Sequence, residues 1–230
     1  MRFFLPLLLL TLFACRTKTE TPATERVNVS ANPPGAVDRT GTIATERPRI
    51  VFFGNSLTAA YGLEPEQGFT ALLQRRIDSL GLNYEVVNAG LSGETTSGGL
   101  QRIDWVLSNP VDIFVLELGG NDGLRGTDPD LTHRNLGEMI DRVRSAHPDA
   151  RIVLAGMEAP PNLGADYTER FRSVYRRLAR EKEVYLIPFL LEDVGGVARL
   201  NLPDGIHPNV EGQRIVADNV WDVLEPLVRV

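Results

Sequence analysis

RIVFFGNSL, residues 49–57, is an apolar run that stops at a glycine and passes into two polar residues. Arg49 to Phe53 is too short for a helix and rich in β-branched and aromatic side chains, so it reads as a strand, with Gly54-Asn55-Ser56-Leu57 as the turn after it. Similar short runs recur at Tyr84 to Asn88, Ile113 to Leu118, Arg151 to Met157 and Val184 to Ile187. Between them the period changes from strand to helix. Phe69, Leu72, Leu73, Ile77 and Leu80 share one helical face, as do Leu136, Met139, Ile140 and Val143. Phe171, Val174, Tyr175 and Leu178 repeat the pattern, with Asp166 and Glu169 spaced as a capping-box-like start. A final helix is expected after Asn209, turning Ile215, Val216, Asn219, Val220 and Val223 inward. Strands alternating with helices predict an α/β fold of three layers around a parallel sheet.

The sequence ahead of Pro48 is of another kind. Arg2 followed by the apolar run Phe3 to Phe13 predicts an export signal over residues 1–14, too short to span a bilayer. It ends in Leu12-Phe13-Ala14-Cys15, similar to the lipobox of bacterial lipoproteins, in which the cysteine becomes the acylated N-terminus; a plain secretory signal is the alternative. Residues 15–47 then read as a lipidated cysteine and a disordered tether, because Thr, Pro, Asn, Glu and Ala alternate there without apolar periodicity. One catalytic domain is expected over residues 48–230. The predicted location is the bacterial cell envelope, lipid-anchored through Cys15 and facing the periplasm or the exterior. Cys15 is the only cysteine, so no disulfide staples the domain and no thiol serves as its nucleophile. From Pro48 on the chain carries 18 basic against 26 acidic groups, a balance of −8, which argues against nucleic acid as a partner.

In parallel α/β sheets ligands bind beyond the carboxyl ends of the strands. Four polar segments fall there: Gly54 to Leu57, Asn88 to Gly93, Gly119 to Asp122 and Asp204 to Asn209. Together they hold the parts of an acyl-transfer site. Ser56, at a strand-to-helix turn, offers a hydroxyl nucleophile and an unpaired backbone N–H. Asp204 and His207 are close enough for a turn through Gly205 to set the carboxylate under one imidazole nitrogen, leaving the other to face Ser56. Pro208 keeps His207 out of the helix that follows. Gly90, lacking a Cβ, and the side-chain amide of Asn121 are the candidate oxyanion donors beside the Ser56 N–H. The nucleophile is not in a G-x-S-x-G elbow, which disfavours the ordinary α/β-hydrolase fold.

At Ser56, Gly90, Asn121 and His207 the sequence resembles the SGNH, or GDSL, hydrolase superfamily, and in particular its bacterial thioesterase, lysophospholipase and arylesterase group. Val87 to Gly93, Leu116 to Gly126 (LELGGNDGLRG) and Asp204 to Asn209 (DGIHPN) carry the likeness, which extends from about Arg49 to Leu224. It implies a flavodoxin-like sheet of five parallel strands and hydrolysis of a small acyl ester or thioester through an acyl-enzyme on Ser56, with no metal and no cofactor. A monomer is expected. In the resembling group the loop at Met157 to Tyr167 shapes the acyl pocket, so Leu163 is expected to contact the acyl chain and Gly164 to allow movement. One departure stands out: Asn55 occupies the place of the aspartate in the GDSL name.

Other readings compete with these. Ser56 is also a fit for a helix N-cap, Asn121 for a turn residue and His207 for a satisfied loop histidine. Glu117, in a buried strand, is expected to be a hydrogen-bonded structural group, with an orienting role near Asn121 as the alternative. Asp122 reads as a turn or cap residue. For the whole chain the alternatives are a carbohydrate acetyl esterase, a degenerate hydrolase that only binds acyl or glycan ligands, and a flavodoxin-like module holding phosphate or flavin.

Overall fold

The computed structural model describes residues 47–229, so the expected export signal, Cys15 and most of the expected tether lie outside the described residues. Five strands, β1 (Arg49–Gly54), β2 (Glu85–Gly90), β3 (Ile113–Glu117), β4 (Arg151–Ala155) and β5 (Tyr185–Ile187), form one sheet. All four pairings are parallel, in the order β2-β1-β3-β4-β5. β3 is central and every residue in it is buried, which is why its sequence is continuously apolar until the terminal Glu117.

Helices cover both faces. α1 (Phe69–Ser79) and α6 (Val210–Val228) pack together on one side, while α2 (Thr96–Val106), α4 (Pro129–Ala146) and α5 (Ala165–Glu181) form the other layer; α3 (Gly120–Leu124) is a short helix beyond β3. The expected apolar faces of α4 and α5 are buried in full. α6 is rotated slightly from its expected face. Trp221, Leu224, Leu227 and Val228 are buried with Val216 and Val220, while Ile215 and Val223 are only half-buried. At the start of α5 the capping box is absent. Gly164 is the N-cap, without a side-chain cap bond, and Asp166 lies in the first turn, where its charge favours the positive end of the helix.

α2 has no counterpart in the periodicity reading, because Gly98 and Gly99 dilute its apolar stripe. The glycines serve close packing instead. A Cβ on Gly99 would stand 2.4 Å from Leu118 Cδ1 and 3.2 Å from Phe53 Cε1, so this helix lies nearly on the sheet. Its first turn faces the carboxyl end of β3, where buried Asp122 accepts from the Thr96 N–H at 2.9 Å and the Thr96 hydroxyl at 2.6 Å. Asp122 is thus a cap supplied from a neighbouring element.

Candidate active site

At the end of β1 the chain turns tightly over Gly54, where a Cβ would lie 2.1 Å from Thr58 Oγ1 and 2.4 Å from Glu117 Oε2. Glu117 is 1% exposed and is the post around which the turn is built. Its Oε2 accepts from the Asn55 N–H at 3.0 Å and the Thr58 hydroxyl at 2.8 Å, and its Oε1 accepts from the Asn55 side-chain amide at 2.8 Å. Burial pushes the Glu117 carboxyl up to about 7, against the lowering effect of the hydrogen bonds from Thr58 and Asn55. Its partners lie beneath Ser56 rather than at Asn121.

Asn55 Oδ1 accepts from the Leu57 N–H at 2.9 Å, and the Ser56 carbonyl accepts from the Tyr61 N–H at 3.0 Å. The segment from Ser56 is a run of turns; the next α-helix begins only at Phe69, so the strand-to-helix junction expected at Ser56 is not formed. The Ser56 N–H has no hydrogen-bond partner among the described residues.

The loop before α6 brings the other two groups. Gly205, at φ +70°, turns the chain so that Asp204 Oδ1 accepts from the N–H groups of Ile206 and His207, at 2.9 and 3.0 Å. These backbone bonds, that of His207 first, lower the Asp204 carboxyl to about 2. Its other oxygen, Oδ2, lies 2.7 Å from His207 Nδ1, and His207 Nε2 lies 2.9 Å from Ser56 Oγ. The His207 carbonyl accepts from the Leu202 N–H at 2.7 Å, Pro208 bridges Asn201, and Asn209 caps α6 through the N–H groups of Glu211 and Gly212. The imidazole is therefore held from both sides in sequence. A neutral imidazole whose Nδ1–H donates to Asp204 presents an acceptor Nε2 to the serine hydroxyl.

Asn121 stands in the first turn of α3, after Gly119 at φ +108°. One hydrogen of its amide goes to the Glu94 carbonyl, with N···O 2.9 Å, and the other has no partner among the described residues. Beside Ser56, His207 and Asn121 opens a cavity of about 810 Å³ with walls that include Leu124, Met157, Pro160, Phe189 and Ile206. A smaller depression of about 420 Å³ lies along β2 and α2 and includes neither Ser56, Asn121 nor His207.

Residues 52–215 match the GDSL-like Lipase/Acylhydrolase family. The chain belongs to that family. Over 180 residues, 78% of this chain and 89% of the relative, it is 43% identical to "Esterase TesA" of Pseudomonas aeruginosa. Over the same length, with 84% of the relative covered, it is 38% identical to "Thioesterase 1/protease 1/lysophospholipase L1" of Escherichia coli strain K12. The crystal structure of TesA superposes with a TM-score of 0.74 at 43% identity, covering 78% of this chain and 99% of that one. The protein is a GDSL-family serine hydrolase of carboxylic esters, with the expected five-stranded parallel fold.

Three of the expected site residues of this GDSL hydrolase, Gly90, Leu163 and Gly164, have other surroundings than expected. The Gly90 N–H donates to Asn88 Oδ1 at 2.9 Å, and the missing Cβ of Gly90 has a packing reason, since it would lie 2.5 Å from the Ala59 nitrogen. Three residues on, Gly93 has φ +81°, open space at its Cβ position and an N–H with no partner among the described residues. It adjoins Glu94, whose carbonyl Asn121 holds. In sequence it carried no signal beyond being a second glycine in the same loop. Leu163 and Gly164 do not line the cavity: Leu163 is 36% exposed at the end of a 3-10 turn, and Gly164 at φ +88° begins α5. Residues 157–162, just before them, form the wall. Leu124 and Phe189 also line it and were not anticipated, because they come from α3 and from the loop after β5, which no local pattern links to the serine.

Proposed function

We propose that this hydrolase cleaves acyl esters and thioesters through an acyl-enzyme on Ser56. The observation that carries the reading is the Asp204–His207–Ser56 hydrogen-bonded chain opening onto the 810 Å³ cavity. Ser56 Oγ attacks the carbonyl carbon while its proton passes to His207 Nε2, and Asp204 stabilises the imidazolium. The developing oxyanion takes hydrogen bonds from the Ser56 N–H, the second amide hydrogen of Asn121 and the Gly93 N–H, the last in place of the Gly90 N–H that Asn88 holds. Collapse breaks the C–O or C–S bond, with the Nε2 proton going to the leaving alkoxide or thiolate. Water, deprotonated by the same imidazole, then releases the carboxylic acid and restores Ser56.

The apolar cavity wall favours an acyl chain longer than acetyl, and the names of the relatives point to aryl esters, acyl thioesters and lysophospholipids as the substrates to try. We expect p-nitrophenyl esters of increasing chain length, an acyl thioester and a lysophospholipid to be turned over by wild type. Ser56→Ala and His207→Ala should each remove nearly all of that activity, and the double variant should lose little more, since triad members act as a unit. Additive losses, or failure of an active-site phosphonate to label Ser56, would remove the reading. Export and anchoring through Cys15 belong to the same proposal. Cys15→Ser is expected to move the protein out of the membrane fraction, and an unchanged distribution would reject the anchor.

A further inference from the structure

Tyr61 lies next to the imidazole, yet neither the hydrogen-bonded chain nor the acyl cavity uses its side chain. Its ring centroid is 4.5 Å from that of His207, with the planes tilted by 38°, and the residue is 51% exposed. The backbone on either side is unusual. Ala60 has φ +56° and is buried, and Gly62 has φ +77°. A left-handed alanine is held there at an energetic cost, because its Cβ crowds the following carbonyl. Both flanks are fixed by parts of the site. The Tyr61 N–H donates to the Ser56 carbonyl at 3.0 Å, and a Cβ on Gly62 would stand 2.7 Å from Leu202 Cδ1, in the residue whose N–H holds the His207 carbonyl. The strained segment therefore ties the nucleophile turn to the histidine loop and leaves a phenol ring on the lip between them.

Resting on the acyl-enzyme reading above, we propose that Tyr61 is the leaving-group platform of this hydrolase, stacking on planar, aromatic leaving groups. The chemistry limits where that group sits. The departing oxygen must come within hydrogen-bond reach of His207 Nε2, which protonates it, while the acyl chain occupies the cavity lined by Met157 and Phe189. Tyr61 is outside that cavity but against the imidazole. An aromatic leaving group held at Nε2 meets the Tyr61 ring at the spacing of an offset or tilted aromatic pair. A small alkyl leaving group has no such surface to offer.

The test compares esters that share one acyl group and differ only in the departing alcohol. For wild type, Tyr61→Ala and Tyr61→Phe, kcat/KM is measured with phenyl and ethyl butanoate and again with phenyl and ethyl acetate. Tyr61→Ala is expected to lower the phenyl-ester value about tenfold relative to the ethyl ester, the size of an aromatic pair interaction, with the same ratio for both acyl lengths. Tyr61→Phe is expected to retain the wild-type ratio. Equal losses on phenyl and ethyl esters, or no loss on either, with wild type active, would overturn the platform while leaving the acyl-enzyme reading intact. A ratio that follows acyl length would assign Tyr61 to the acyl side and overturn it as well. Wild type inert toward all four esters would remove the acyl-enzyme reading and the platform with it.

Discussion

Asn55 stands one residue before the nucleophile, and its side chain meets Glu117, the Leu57 N–H and, at 3.4 Å, the Ser56 hydroxyl. Its carbonyl oxygen takes the Leu57 N–H, which an aspartate would do equally well, but its amide donates to buried Glu117 at 2.8 Å. An aspartate there would set two carboxyls against one another, and such a pair stays in place only by sharing a proton, titrating as a unit. Asn55→Asp is therefore expected to keep kcat/KM within about tenfold of wild type at pH 6 and to fall progressively behind as the shared proton is lost at higher pH. Parallel pH profiles of the two proteins check this; coincident profiles to pH 9 would show that the pair does not couple. Asn121 is the other residue whose effect can be stated in advance. Asn121→Ala is expected to cost about 2.7 to 4 kcal/mol of transition-state stabilisation, read in kcat with KM nearly constant. A loss confined to KM would make it a substrate-binding group instead.

At the level of elements, the site depends on how abruptly strands end. α3 starts immediately beyond β3 because Gly119 adopts φ +108°, and a Cβ at that position would lie 2.1 Å from the hydroxyl of Tyr175. That hydroxyl donates to the Leu118 carbonyl at 3.1 Å and is buried, so it has nowhere to retreat without losing its partner. Gly119→Ala combines backbone strain with overpacking. We expect a loss of about 2 to 4 kcal/mol in denaturant unfolding and, in protein that remains folded, a lower kcat because Asn121 is displaced. Wild-type stability and kcat in this variant would show that α3 can begin without a glycine. α2 shows the same dependence in a milder form, since its approach to the sheet rests on Gly99.

At the scale of the molecule, the two perturbed carboxyls among the described residues divide the pH scale. Asp204, lowered from 3.8 to about 2, contributes stability that is present above its unfolded value and lost as pH falls through about 2. Glu117 acts in the other direction. Raised from 4.5 to about 7 by burial, it binds its proton more tightly in the folded state, so folding loses stability as pH rises from about 4.5 to about 7. A rise of that size is worth about 3 kcal/mol. Glu117→Gln removes this titration but leaves one N–H of the turn facing an amide donor, a roughly constant cost. The stability difference between Glu117→Gln and wild type is accordingly expected to shift in favour of the variant as pH rises from 4.5 to 8, by urea unfolding across that range. A pH-independent difference would mean that Glu117 is ionised throughout.

The sequence alone was sufficient for the alternation of strands and helices and for the turn that joins Asp204 to His207, because each of these is encoded locally. Arg49 to Phe53 is a strand by its own composition, and Asp204-Gly205-Ile206-His207 closes on itself within four residues. Groups whose place depends on distant backbone were legible only in the fold. Nothing near position 90 reveals that Asn88 occupies the Gly90 amide, or that the Gly93 N–H has no partner among the described residues. Residues 120–124 give no hint that Leu124 would share a cavity wall with Phe189, 65 positions later. Likewise Glu117 could be read as a buried carboxylate needing donors, but not as the support beneath Ser56. A parallel sheet sets residues far apart in sequence side by side at its carboxyl edge, and which amide stays free there is decided by the hydrogen bonds its neighbours have already taken.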